Sequence, residues 1–118
     1  MRSDPAKSTS SSNPIFSTFA DEPEMRDLVE MFVQELPARV GAMQQAFNQN
    51  ELDQLKRTAH QLKGAGGGYG FGCISEAAGQ LEHTLLSVVS AESPTPETLE
   101  GVRNQLEDLT NLCSRVRA

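Results

Sequence analysis

His60 sits among residues of one kind. Lys56 precedes it by one helical turn, and Lys63, Gly64 and Gly67 follow at plus three, plus four and plus seven. At about 100° per residue, all of these share one side of an α-helix with it. No acidic residue occurs between Asp53 and Glu76, yet Lys56, Arg57 and Lys63 all fall there, in a chain of formal net charge -6. The surroundings of His60 therefore read as a local positive island. Cations disfavour protonation of an imidazole and stabilise a phosphorylated side chain, so they keep the ring a neutral nucleophile near pH 7. Reversible phosphorylation of an exposed histidine is the chemistry these residue types suit.

The helix that must carry His60 is drawn by the apolar stripe Leu52, Leu55, Ala59, Leu62, Gly66, Tyr69. His60 points roughly 130° away from that stripe, toward solvent. Interior glycines cost a helix about 1 kcal/mol each relative to alanine, so those after His60 must offset that cost. Gly64, one turn on and exposed, leaves room for a partner to approach the imidazole. Gly66, on the stripe, permits close helix contact. Gly68, Gly70 and Gly72 read equally well as the end of the helix and its loop.

Three further helices are expected around this one. Asp21-Glu22-Pro23-Glu24 opens the first, with Asp21 as its cap. Its stripe of Met25, Val29, Phe32, Leu36, Val40, Met43 and Phe47 keeps phase through Pro37, which predicts one long helix kinked there. Asn48-Gln49-Asn50 turns the chain, and Asn50 is placed to cap the His60 helix. The third helix carries Ile74, Ala78, Leu81, Leu85 and Val88. Thr95 caps the fourth, with Pro96 as its first residue, and its stripe runs Leu99, Val102, Leu106, Leu109, Cys113, Val116. Four amphipathic helices joined by short turns make an all-α fold, an antiparallel up-down-up-down four-helix bundle over residues 21–118. Residues 1–20 stand apart. The polar, Ser-rich stretch up to residue 13 reads as a flexible tail, and Ile15, Phe16 and Phe19 as a short apolar lid on the bundle.

Composition limits the alternatives. A chain of 118 residues, 37% hydrophobic, makes one domain, and a pI near 4.8 argues against nucleic-acid binding through bulk charge. No apolar run is long enough to span a bilayer and no secretory signal is visible. Two cysteines are too few for a disulfide scaffold, so a cytoplasmic setting is expected. The core stripes suffice for a monomer, and Met1 followed by a polar tail fits a free-standing protein.

The run Ala59-His60-Gln61-Leu62-Lys63-Gly64, followed by small residues and Gly70, resembles the signature of histidine-containing phosphotransfer (HPt) domains of His-Asp phosphorelays. The resemblance extends to Leu81-Glu82 and to the Phe32-Val33-Gln34-Glu35-Leu36-Pro37 segment, and covers most of residues 21–117. It implies that His60 accepts a phosphoryl group from the aspartyl phosphate of a response-regulator receiver domain and returns it to another. Lys63 matches the lysine that steadies the phosphoryl group, and Gly64 the glycine that clears room for the receiver. Gln61 flanks the site toward phosphate or partner. Lys56, Arg57 and Gly67 join the partner-facing side from charge and helix phase alone. A hybrid sensor histidine kinase would feed the relay. Mg2+ would sit on the acidic residues of the receiver, with no cofactor or metal on this chain. The run of Gly66, Gly67 and Gly68, then Gly72, departs from the family pattern and leaves the length of the His60 helix open.

Rival readings are weaker. GxGxxG fails at every register of the glycine stretch and no P-loop occurs, so no ATP site and no kinase activity are expected. His60 and His83 are the only histidines, without a Glu-x-x-His motif. His83 and Glu82 read as ordinary surface residues, Cys113 as a small buried hydrophobe and Cys73 as an ordinary thiol near a helix start. The remaining competitor is an interaction bundle of the same fold that binds a partner without being phosphorylated.

Overall fold

The computed structural model describes residues 13–90 and 94–118. The stripe beginning at Met25 folds as α1, Pro23–Asn48, which runs unbroken through Pro37. Proline withholds an N–H from the preceding turn, but Phe32 and Leu36 on that turn are each 1% exposed, and their burial holds the helix in register. The expected cap is absent: Glu22 takes the capping position with no side-chain bond, and Asp21 lies outside it. The helix closes instead at its other end. Asn50 adopts φ 60, its N–H bonds Phe47 O, and Glu51 N–H bonds Ala46 O at 2.8 Å. This Schellman arrangement corrects the role expected of Asn50, which turns the chain in the left-handed conformation rather than capping the next helix.

Helix α2, Leu52–Gly68, follows, then α3, Gly72–Ser90, and α4, Pro96–Arg115. The glycine run therefore stays helical as far as Gly68. The same closing device recurs at Tyr69-Gly70-Phe71: Gly70 has φ 85, its N–H bonds Gly67 O, and Phe71 N–H bonds Gly66 O at 2.8 Å. Thr95 caps α4 as expected, its Oγ1 accepting from Thr98 N–H at 3.1 Å. Each helix packs on the next and α1 closes on α4, so the four form a bundle. Three-residue connections at 49–51 and 69–71 join the first three helices, the short links that an up-down-up-down order uses. Leu55, Ala59, Leu62, Ile74, Ala78, Leu81, Leu85, Val102 and Leu109 are wholly buried at its centre. Phe71, placed in a turn, is also core: its ring lies 5.7 Å from Phe32, which stacks on Tyr69 at 4.9 Å.

The tail expected over residues 1–13 lies outside the described residues except for Asn13, whose carbonyl accepts from Arg115 Nε at 2.9 Å. The lid is more ordered than an apolar flap. Ile15–Phe16 forms a strand, β1, paired in parallel with β2, Val116–Arg117, in the register Ile15 to Val116 and Phe16 to Arg117. Ile15 and Phe19 pack on the core, but Phe16 is 55% exposed, because successive residues of a strand face opposite sides. Among the described residues no helix is long and apolar enough to cross a membrane.

Candidate functional site

Burial of Ala59 and Leu62 fixes the rotation of α2 and turns His60 outward, its side chain 69% exposed. Lys63 lies one turn on, 52% exposed. The neighbouring helix α3 is rotated by Ala78, Leu81 and Leu85, which places Glu82 at the edge of its buried face, facing α2. Glu82 is only 18% exposed, and its Oε2 lies 2.8 Å from His60 Nδ1. A carboxylate only accepts hydrogen bonds, so Nδ1 carries a proton, and in the neutral ring the lone pair is then on Nε2. The other oxygen, Oε1, stands 3.9 Å from Lys63 Nζ, too long for a hydrogen bond but close enough for attraction. Glu82 thus ties the histidine and the lysine together from the facing helix.

Glu82 is not the plain surface residue that helix phase suggested. Phase within one helix shows which side a residue faces, not what stands opposite. A usable signal did exist. His60 and Glu82 are equidistant in sequence from Phe71, as are Lys63 and Gly79, and Gly67 and Ser75. With the reversal centred on Phe71, residues equally far from it come level on the two helices.

The positive island is also smaller than the charge count implied. Asp53, one turn back on α2, holds Arg57 at 3.2 Å and Lys56 at 3.7 Å. Both cations therefore pair with a carboxylate of their own helix, while His60 faces charges of both signs, Lys63 and Glu82. Gln61 is exposed beside the histidine. A Cβ added at Gly64 would meet nothing within 4 Å, so that surface is open to an approaching body. Gly67 is exposed but leans toward α3, where a Cβ would stand 3.4 Å from Ser75 Oγ. His83 points to solvent, and Cys113 is buried. Among the described residues no group of three or more His, Cys, Asp or Glu side chains is placed to hold a metal ion.

The arrangement presents the Nε2 edge of an imidazole to solvent, backed by a carboxylate and flanked by an ammonium and by bare backbone. It suits nucleophilic attack on an electrophile brought by a second molecule. Compared with known protein families, the chain matches the model described as Hpt domain over residues 27–115, a span that includes His60, Lys63, Gly64 and Glu82. Neither the curated proteins nor the solved structures give a match.

Proposed function

This chain belongs to the Hpt domain family, the phosphotransfer carriers of His-Asp phosphorelays, and from that premise we propose that His60 is its phospho-acceptor. The observation that supports this most directly is the exposed ring whose Nδ1 is tied to Glu82 at 2.8 Å. In the proposed step, Nε2 attacks the phosphorus of an aspartyl phosphate on a receiver domain. The N–P bond forms, the P–O bond to the aspartyl group breaks, and the freed carboxylate stays on the receiver. No proton leaves the histidine. Nδ1–H remains on the ring, and the Glu82 carboxylate offsets the positive charge that the phosphorylated ring acquires. Lys63 Nζ, beside the same carboxylate, meets the phosphoryl oxygens.

Phosphoryl transfer passes through a loose transition state, so positioning and charge supply most of the rate. Helix α2, anchored by Leu55, Ala59 and Leu62, holds the ring still for in-line attack. Gly64 clears the way for the receiver and Gln61 borders its footprint. Lys56, Arg57 and Gly67 lie at the rim. The partners are response-regulator receivers, with a hybrid histidine kinase upstream. Mg2+ would be bound by the receiver's acidic residues. Because the step reverses through the same atoms, the chain acts as a two-way carrier, working as a cytoplasmic monomer without an ATP site of its own.

The test is direct. The protein is mixed with a radiolabelled phosphorylated receiver and examined for acid-labile, base-stable label. The expected result is label on the wild type and none on His60→Gln, with helical circular dichroism unchanged. Label persisting on His60→Gln excludes the site. Absence of transfer from a panel of receivers favours the unphosphorylated interaction bundle.

A further inference from the structure

Gly79 lies on α3 one turn before Glu82 and faces α2. A Cβ built there would stand 3.3 Å from Lys63 Cδ, 3.5 Å from Cε and 3.8 Å from Cγ. The three nearest atoms all belong to the stem of one lysine. Gly66 contrasts with it: a Cβ there would meet Ile74 and the Ser75 backbone, so that glycine serves helix contact. Gly79 instead leaves a shallow floor on which the Lys63 methylenes lie. Beyond that floor the ammonium reaches 3.9 Å from Glu82 Oε1, and Glu82 Oε2 holds His60 Nδ1.

A lysine stem in water samples many rotamers, and holding its charge at one place costs entropy. A bare patch of the facing helix limits that sampling by contact along the stem. Glycine inside a helix is itself unfavourable relative to alanine, so the position gives up helix stability for the space it leaves. We infer that Gly79 is a positioning residue for phosphoryl transfer, seating the Lys63 stem so that its ammonium stays beside His60. The inference rests on the reading of His60 as phospho-acceptor. It adds a residue that touches neither the histidine nor the phosphoryl group and acts through Lys63.

The experiment compares Gly79→Ala and Gly79→Leu, each with Lys63 present and with Lys63→Ala, against the same phosphorylated receiver. Gly79→Ala is expected to melt higher than wild type and to transfer no faster. Gly79→Leu is expected to slow transfer about tenfold, the scale of losing one placed charge in the transition state. In the Lys63→Ala background the same change is expected to alter the rate less than about twofold, because the two act as a unit. NMR relaxation of the Lys63 Cε is read in parallel without any receiver, and Gly79→Leu should raise its mobility. Wild-type transfer rate in Gly79→Leu, or equal slowing with and without Lys63, overturns the inference. So does unchanged Lys63 mobility. A wild-type chain that takes no label on His60 overturns the phospho-acceptor reading instead, and the relaxation data then decide the seating of Lys63 alone.

Discussion

Oε2 of Glu82 stands 2.8 Å from Nδ1 of His60, across the seam between two helices and 22 positions along the chain. The pairing engages Nδ1 of an exposed ring, leaves Nε2 outside the pair and puts a carboxylate behind the imidazole. The same carboxylate attracts Lys63. In the resting protein Glu82 therefore engages the Lys63 ammonium, and under the proposed phosphorylation of His60 the phosphoryl group would replace one anionic partner of Lys63 with another.

Glu82→Gln tests this pairing. Glutamine keeps the size but removes the charge, and its amide can face Nδ1 with either end. The transfer rate should fall about fivefold to tenfold, equivalent to about 1 kcal/mol for a pair that is half in water. Nitrogen-15 spectra of the imidazole should show the two tautomers becoming more evenly populated. The melting temperature should stay near that of wild type, since the side chain lies at the edge of the core. An unchanged rate together with an unchanged tautomer ratio would mean that Glu82 has no part in the site.

Each helix was legible because its core stripe obeys one period. Val29, Phe32, Leu36 and Met43 on α1 and Ile74, Ala78, Leu81 and Leu85 on α3 are all buried, and on α2 the buried stripe of Leu55, Ala59 and Leu62 imposes the rotation that exposes His60. What one stripe does not contain is its neighbour. Glu82 and Gly79 matter through the facing helix, and their partners follow only from the register that the turn at Phe71 sets. Phe71 itself sits among glycines, where periodicity is silent, yet its ring fills the core beside Phe32. The ends were the least legible. Asn50 has the side chain of a cap but the backbone of a left-handed turn, and both uses favour asparagine. The parallel pairing of β1 with β2 joins the two ends of the described chain, a contact that local pattern does not encode.

Gly64 and Gly66 are neighbours on α2 with opposite environments, and alanine should separate them. At Gly64 a Cβ meets nothing, so Gly64→Ala should stabilise the bundle by up to about 1 kcal/mol through helix propensity. At Gly66 a Cβ would come to 3.0 Å from Ile74 Cγ2 and 3.1 Å from the Ser75 backbone nitrogen, so α2 and α3 must part. Gly66→Ala should destabilise by about 1–3 kcal/mol, the cost of overpacking. Urea midpoints at pH 7 measure both. Gly64→Leu should keep the fold but slow transfer more than about tenfold, by displacing the receiver from His60. Transfer at the wild-type rate in Gly64→Leu removes the close-approach role from this glycine.

The chain before α1 is fastened at Gly70. Thr18 N–H bonds Gly70 O at 3.0 Å, Ser17 Oγ donates to Tyr69 O at 2.6 Å, and the same hydroxyl accepts from Phe19 N–H. Gly70 has φ 85, and a Cβ there would crowd Thr18 Oγ1 and the Phe19 ring. Gly70→Ala combines backbone strain with that clash and should cost about 2 kcal/mol or more. Ser17→Ala should cost about 1 kcal/mol, because it leaves the Tyr69 carbonyl and the Phe19 N–H without this partner. Amide exchange should then speed up over residues 15–19 and at Val116–Arg117 before it does in the four helices. Uniform speeding across the whole bundle would mean that the segment does not unfasten on its own.

Cys113 supplies the pH dependence. Burial, with a smaller contribution from Cys73, raises its thiol from 9.0 to about 12. The folded state therefore holds the proton more tightly than the unfolded chain. Its stabilising share is complete below about pH 9 and is lost as pH rises toward 12. Within that window stability should fall by about 1 kcal/mol per pH unit on account of this group. Urea melts from pH 8 to about 10.5 should slope more steeply for the wild type than for Cys113→Ala, although the alanine variant starts lower because it leaves a cavity. Reaction with iodoacetamide at pH 8 gives the complementary reading. Half-buried Cys73 should alkylate in the folded protein, while Cys113 should wait for unfolding, since it is both shielded and protonated. Equal slopes in the two melts, or Cys113 alkylating as fast as Cys73, would show that the thiol is not held neutral by its burial.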